Sequence, residues 1–552
     1  MNQLFFGDNL DVLRESIKDE SVDLIYLDPP FNSSANYNVL FSSPKGHQSE
    51  SQIEAFEDTW HWGEEAEKEF VEILAQTNTQ VAEVLRSLRQ FLGENDMMAY
   101  LVMMTNRLLE LHRVLKETGS LYLHCDPTAS HYLKVVLDGV FGFENYRNEI
   151  IWERSKNPKG SQHKNFRWGP STDTILYYAK SSSAPLNVDS AKSVASESAL
   201  EDRFPNEDEI GRWADGPILC SDSMGPRPNL VYEYKGFTPG PSGWRVSLDK
   251  LRLIDDAGDL YWTAKQRPRR KLRPGPQELN PLSNCWTDIA PINSQAHERL
   301  GYPTQKPLVL LERMLRASSK EGDVILDPFC GCGTAVHAAQ KLNRQWLGID
   351  ITHLAISLIE KRLRDSFPGI QFEVHGTPKD YEGAKNLAER DKYQFQWWAC
   401  SLVNAQPYGG KKKGADGGVD GLIFFQDDVG VPKKIVVSVK GGEHVSVTMV
   451  KDLIATIIRQ KAEIGLFVTL NPPTKPMIAE AASAGFYKSS AGGVFPKIQI
   501  LEIEKLIEHH DEARYPHLDA GSLTFKKAAI EHGEDKQVDL FAAPAKGSKK
   551  KK

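Results

Sequence analysis

Two short stretches of this 552-residue chain hold residue types that can do chemistry. In "DLIYLDPPFN" an apolar run ends on Asp28, Pro29, Pro30 and Phe31. Buried strands of open α/β sheets present their ligand crevice at the carboxyl end, which is where Asp28 is expected to stand. The prolines fix the backbone, so that the Asp28 carboxylate and the Pro29 carbonyl aim two acceptors at one small target. Two adjacent acceptors suit an NH2 group. The exocyclic amine of adenine or cytosine is a poor nucleophile because its lone pair is delocalised into the ring. Accepting its N–H bonds draws it towards sp3 geometry, and positioning aligns it with an electrophile. Phe31 offers a ring face on which a base taken out of its stack can rest. Alone, "DPPF" is also an ordinary Asp-Pro turn with a buried ring.

The second stretch, "VILDPFCGCGTA", is an apolar strand, an acid, a turn carrying Gly331 and Gly333, and a helix start. Glycines let the backbone turn sharply at the strand end and approach a ligand closely. One helix and one strand later "WLGID" ends on Asp350, where a carboxylate can accept ribose hydroxyls. A dinucleotide loop offers bare amides to a pyrophosphate, whereas Asp327 would repel one. A cationic cofactor with a ribose and no phosphate, S-adenosylmethionine, fits this pair of loops better. The loops together outweigh the ordinary turn at Asp28.

Strand and helix patterns alternate through "QLFFG", "VDLIYLD", "MAYLVMMTNRLLELHRVLK", "GSLYLHCD" and "SHYLKVVLDGV", which predicts a doubly wound α/β sheet over residues 1–153. From 154 to 300 the pattern breaks into Pro-, Gly- and Ser-rich sequence with a basic run, and it resumes over 301–380. The polar "GTPKDYEGAKNLAERDK" reads as a linker to a smaller α/β domain over 393–512, and 513–552 reads as a mostly disordered tail.

The net charge of -7 means that a polyanion has to be met by a local basic patch. Arg267, Arg269, Arg270, Lys271 and Arg273 form such a run, kept extended by prolines and suited to a phosphate backbone. Trp152, Arg154, Lys156, Lys159 and Lys164 make a second, less specific basic edge. Six scattered cysteines read as reduced thiols, and no run approaches the ~18 apolar residues of a spanning helix. A cytoplasmic protein without a membrane segment is the expectation.

With these motifs in place the chain resembles the amino-directed DNA methyltransferases of the beta arrangement, in which the D-P-P-Y/F motif precedes D-P-F-x-G-x-G and the target recognition region lies between them. "GDNLDVL", "LDPPFN", "PTQKPLVLLERML", "DPFCGCGTA" and "WLGIDI" follow in that order, with Phe31 where Tyr is commoner. The resemblance implies a Rossmann-like domain with permuted motif order, and catalytic roles for Asp28, Pro29, Pro30 and Phe31. It implies cofactor roles for Asp8, Lys306, Pro307, Asp327, Phe329, Gly331, Gly333, Thr334 and Asp350, with 154–300 reading double-stranded DNA. Adenine N6 is the expected target and cytosine N4 the alternative. Carbon-5 methylation is unlike this chain, which has no Pro-Cys dipeptide.

Residues 393–512 resemble the Mrr-like branch of the PD-(D/E)xK nucleases, with Asp420 and Lys440 in place and Ser438 where an acid is usual. Mg2+ is expected only if this domain cuts, with Asp416 or Glu443 as substitute ligands. A DNA-holding module without cleavage is set ahead of a single-chain restriction-modification enzyme. A homodimer and restriction or defence-system subunits remain open as partners.

Overall fold

The two motif-bearing strands are neighbours in one nine-stranded sheet. The computed structural model describes residues 2–30, 36–42, 48–57, 60–76, 78–155, 169–276, 278–293, 296, 298–300, 302, 304–408, 418–427, 432–516, 528, 530 and 531. The sheet contains β1 (Gln3–Phe6), β2 (Val22–Leu27), β3 (Leu115–Cys125), β4 (Tyr146–Glu153), β5 (Thr172–Ala179), β6 (Cys285–Trp286), β7 (Val324–Asp327), β8 (Gln345–Asp350) and β9 (Glu373–His375). Their spatial order is β6-β4-β5-β3-β2-β7-β8-β1-β9. All neighbouring pairs are parallel except β3–β5 and β4–β5. The central strands read as continuous apolar runs because helices cover both faces.

β2 pairs with β7 through Leu24 opposite Ile325 and Ile25 opposite Leu326. The chain leaves β2 towards β3 on one side and leaves β7 towards β8 on the other. The carboxyl ends of β2 and β7 therefore open on a topological switch point, where such sheets bind ligands. One face is filled by α1 (Asn9–Ser16) and α2 (Asp96–Val114), through Leu13, Leu101, Leu108 and Leu111. The other is filled by α3 (Leu308–Ser318), α4 (Thr334–Lys341) and α5 (His353–Ser366), through Leu310, Leu311, Ala338 and Ile359.

Residues 188–283 form a separate compact unit. The region expected over 154–300 is wider than this unit, since β5 and β6 belong to the main sheet. The unit has a four-stranded antiparallel sheet ordered Leu260–Trp262, Pro268–Leu272, Gly211–Pro217 and Asn206–Asp208. Buried Trp244 centres its core with Ile218, Leu251 and Ile254.

The C-terminal part has a five-stranded sheet, β10 (Gln406–Pro407), β11 (Gly421–Phe425), β12 (Lys433–Lys440), β13 (Ile464–Thr469) and β14 (Ile498–Glu502), in that order. The stretch read as a linker is instead a helix over Tyr381–Arg390, capped by Asp380, which buries Ala384, Leu387 and Ala388 against the C-terminal core. It leads into α6 (Lys392–Leu402). Most of the tail lies outside the described residues; within them, Glu531 bonds His337 at 3.1 Å and Lys341 at 3.2 Å. Among the described residues no helix is long and apolar enough to cross a membrane.

Candidate active site

A cavity of about 340 Å³ lies at the switch point, and both motif loops line it. Asp28 stands just past β2 with one carboxylate oxygen, Oδ2, paired to the Lys306 ammonium. The other oxygen, Oδ1, is buried and has no hydrogen-bond partner among the described residues. A buried acceptor left unpaired is costly unless a ligand donates to it. Pro29 is buried and Pro30 lines the cavity, while Phe31 falls outside the described residues. Lys306 thus stands on the Asp28 side of the cavity. Pro307 is the cap residue that starts α3.

The glycine turn follows β7. Gly331 and Gly333 have φ of 51° and 72°, a region that favours glycine. A Cβ on Gly331 would stand 3.1 Å from the Tyr302 ring, and one on Gly333 would stand 2.8 Å from Ile359 Cγ1. Asp350 ties the turn to the next strand end: Oδ2 accepts from Gly331 N, and Oδ1 from Thr352 N and Thr352 Oγ1, all at 2.9 Å. Burial raises its carboxyl to about 6, against the pull of these donors. Burial also pushes Asp327 well above the usual carboxylate range, with Asp28 and Asp350 nearby adding to the effect. Phe329 and Thr334 line the same space, and buried Arg362 steadies the turn from behind by donating to Cys332 O at 2.9 Å.

Asp8 caps α1 by accepting from Leu10 N at 2.8 Å and is gripped by both of its oxygens at 3.0 Å from Arg107 Nη2. Arg107 Nε also donates to Asn9 Oδ1 at 2.6 Å, and Asn9 Nδ2 donates to Pro328 O at 2.9 Å. One arginine therefore joins the amino-terminal loop to the glycine-turn loop. Arg107, Asn9 and Tyr302 were not singled out in the sequence. The available signal was Arg107 itself, a charge within the apolar run of α2 that stays 8% exposed.

In the C-terminal sheet Asp420 Oδ2 accepts from Val439 N at 2.6 Å and from Ser438 Oγ at 3.3 Å, with Lys440 Nζ 3.6 Å away. Lys440 donates to Ser438 Oγ at 2.8 Å. Asp416 is outside the described residues and Glu443 is exposed. Among the described residues no three His, Cys, Asp or Glu side chains gather as a metal site.

The family described as DNA methylase matches residues 22–361, and the family described as restriction endonuclease matches residues 387–508. The chain belongs to the DNA methylase family. The type II methyltransferase M.EcaI of Enterobacter cloacae is 32% identical over 270 residues, covering 48% of this chain and 57% of that protein. The StyLTI Mod subunit, a type III restriction-modification enzyme of Salmonella typhimurium, is 26% identical over 363 residues, covering 62% and 50%. The chain spans about half the length of these curated relatives. The solved structure of the cytosine-N4-specific PvuII DNA methyltransferase aligns with a TM-score of 0.32 at 14% identity, over 67% of this chain and 89% of that one.

In this methylase the basic run is a strand of the 188–283 unit. Arg269 Nε donates to Asp215 Oδ1 at 2.7 Å, Lys271 Nζ to Asp208 Oδ2 at 2.6 Å, and Arg273 Nε to Asp259 Oδ1 at 2.6 Å. Arg273 and Lys271 hold Asp208 well below the usual carboxylate range. Strand pairing, more than the prolines, keeps the run extended. Arg267 is exposed, and Arg270 Nε is buried without a hydrogen-bond partner among the described residues. Of the second basic edge, Lys156, Lys159 and Lys164 lie outside the described residues.

Proposed function

We propose that the methylase domain transfers a methyl group from S-adenosylmethionine to the exocyclic N6 of adenine in duplex DNA, with the base taken out of the stack. The observation that carries this reading is Asp28, a carboxylate that lines the cavity beside the Asp350-bound glycine turn and whose buried Oδ1 has no hydrogen-bond partner among the described residues.

The cavity suits the cofactor. Asp8, Asp28 and Asp350 line it against Lys306 and Arg107, with the raised Asp327 carboxyl as a further oxygen acceptor, a lining that favours a ligand carrying ammonium and sulfonium charge. Asp350 and the Gly331 turn would take the ribose end and Asp8 the neighbouring base, while Phe329 and Thr334 complete the wall. When bound, the cofactor supplies an electrophilic methyl group.

The protein's part is to prepare the amine. Lys306 anchors Oδ2 of Asp28 and leaves Oδ1 as the acceptor offered to the target. That oxygen accepts an amine N–H, frees the nitrogen lone pair from the ring, and is the atom placed to take the proton the amine sheds after methylation. The carboxylate at the first position of the motif favours adenine, in line with the family resemblance. Arg267 and Arg270 carry most of the backbone contact proposed for the basic run. The restriction-endonuclease domain holds DNA without cutting it.

Modification-sensitive sequencing of DNA from cells expressing the protein, beside an Asp28→Ala control, tests this. N6-methyladenine at one motif that vanishes in the control is the expected result. N4-methylcytosine there would select the alternative base, and unchanged methylation in Asp28→Ala would refute the two-acceptor chemistry.

A further inference from the structure

A polar rung crosses four neighbouring strands behind the cavity. Tyr26 on β2 lines the cavity two residues before Asp28. Its hydroxyl lies 3.1 Å from Nδ1 of His124 on β3. His124 Nε2 lies 3.2 Å from Oδ2 of Asp173 on β5, and Asp173 Oδ1 lies 3.1 Å from Nε of Arg154 at the end of β4. Tyr26, His124 and Asp173 are at most 3% exposed, whereas the Arg154 side chain is 42% exposed.

Polar groups buried this deeply in an apolar sheet are costly unless satisfied, and the methyl-transfer chemistry above uses none of the inner three. Burial, with Asp28 and Asp327 nearby, keeps the Tyr26 phenol protonated, so its hydroxyl can share a hydrogen bond with His124 Nδ1. Facing a carboxylate, His124 Nε2 is the donor to Asp173 Oδ2. Although burial works against it, the His124 hydrogen bond and the Arg154 charge hold Asp173 below its ordinary range, hence a carboxylate. The rung runs from a solvent-facing guanidinium to a ring in the cavity wall.

We propose that Arg154 takes a DNA phosphate on its exposed side and that Asp173 and His124 carry this contact to Tyr26, so that DNA engagement sets the wall against which the target base is held. Tyr26, His124 and Asp173 are positioning residues. A guanidinium has five N–H donors in a planar fork, so Arg154 can face Asp173 through Nε and a phosphate through its remaining donors at once. The inference rests on the methyl-transfer reading.

The test uses the full chain and compares Tyr26→Phe, His124→Gln, Arg154→Ala, Arg154→Lys and the Tyr26→Phe/Arg154→Ala pair. Methyl-transfer kcat, KM for DNA, and cofactor affinity by calorimetry are measured. Calorimetric binding of S-adenosylmethionine also shows which variants fold. Tyr26→Phe and His124→Gln should each lower kcat roughly fivefold to tenfold, the effect of one hydrogen bond, with cofactor affinity intact. Arg154→Ala should raise KM for DNA and lower kcat by a similar factor. Arg154→Lys should recover KM without recovering kcat. The double variant should lose no more kcat than its worse parent. Losses of kcat that multiply, or a KM effect at Arg154 with no kcat effect, would break the link. If Tyr26→Phe misfolds, His124→Gln supplies the same comparison. Asp28→Ala run in parallel keeps the two claims apart, since its loss of activity beside a fully active Tyr26→Phe refutes the rung and spares the chemistry.

Discussion

The side-chain carbonyl of Gln394 accepts a hydrogen bond from the backbone amide of His353 at 3.0 Å. His353 is the first residue of α5, whose leading N–H groups have no partner within the helix. A residue of α6, in the segment leading into the C-terminal sheet, thus completes the helix that starts beside Asp350. Trp397 strengthens the join: it is 2% exposed and packs with Tyr302, Cys332 and Leu354 behind the glycine turn.

The α6 helix is accordingly part of the support of the glycine turn, where S-adenosylmethionine is proposed to bind. Trp397→Ala should weaken S-adenosylmethionine binding roughly tenfold, because the cavity it leaves frees Tyr302 and the turn to shift. Gln394→Ala should weaken it less, by roughly the few-fold worth of one helix-end hydrogen bond. Calorimetry decides, with thermal melting to confirm folding. Unchanged affinity in Trp397→Ala would make the packing stabilising only.

The positions that meet at the cavity were legible in the sequence wherever they depend on local pattern. Asp28 and Asp327 announce themselves as acids at the ends of apolar strands, and Gly331 and Gly333 as turn residues. The pairs that finish the site were not legible, because they join distant positions. Lys306 reaches Asp28 across 278 residues and Arg107 reaches Asp8 across 99. Nothing in periodicity encodes such pairs. The polar sequence before α6 hid a helix because only Ala384, Leu387 and Ala388 mark its buried stripe. β5 was absorbed into the recognition region because masking Pro- and Ser-rich stretches adjoin it. In the basic run the charges were visible in sequence, while their acidic partners Asp208 and Asp215 lie on other strands and Asp259 just before one.

Asp350 predicts a pH dependence. Its carboxyl, raised to about 6, binds its proton more tightly when folded than the ordinary carboxylate does at ~4. Its contribution to stability is therefore full below about 4 and is lost as pH rises through about 6. Cofactor binding runs the other way, since ribose hydroxyls donate to the ionised form. Affinity for S-adenosylmethionine should increase between pH 5 and 7 and level off above. Asp350→Asn should bind weakly with a flatter profile, which also separates Asp350 from the other raised acid, Asp327. An identical pH profile in Asp350→Asn would remove Asp350 from the ribose site.

The basic strand divides into two groups. Arg267→Glu and Arg270→Glu should weaken DNA binding for every sequence alike and reduce the slope of log affinity against log salt by about one or more each. Arg273→Ala should instead lower the melting temperature of the 188–283 unit, because it leaves Asp208 and Asp259 without their guanidinium. A changed recognition sequence with undiminished affinity in Arg267→Glu would assign that residue to base reading.

The restriction-endonuclease domain is expected not to cut. A hard divalent ion needs several oxygen ligands to replace its water shell, and most phosphodiesterases supply two or more carboxylates. Among the described residues Asp420 is the acid at this sheet end, and its Oδ2 is already engaged by Val439 N and Ser438 Oγ. Ser438 offers a neutral hydroxyl where the fold usually places an acid, and it is itself held by Lys440. This donor set does not fit a tightly held Mg2+. Lys440 nonetheless keeps a cation at the strand end that can touch a bound phosphate, so DNA binding can persist without cleavage. Purified full-length protein incubated with methylated and unmethylated plasmid in magnesium or manganese should leave the plasmid supercoiled, while Lys440→Ala should reduce plasmid binding. Cleavage that disappears in both Asp420→Ala and Lys440→Ala would overturn this assignment and make the chain a combined restriction and modification enzyme.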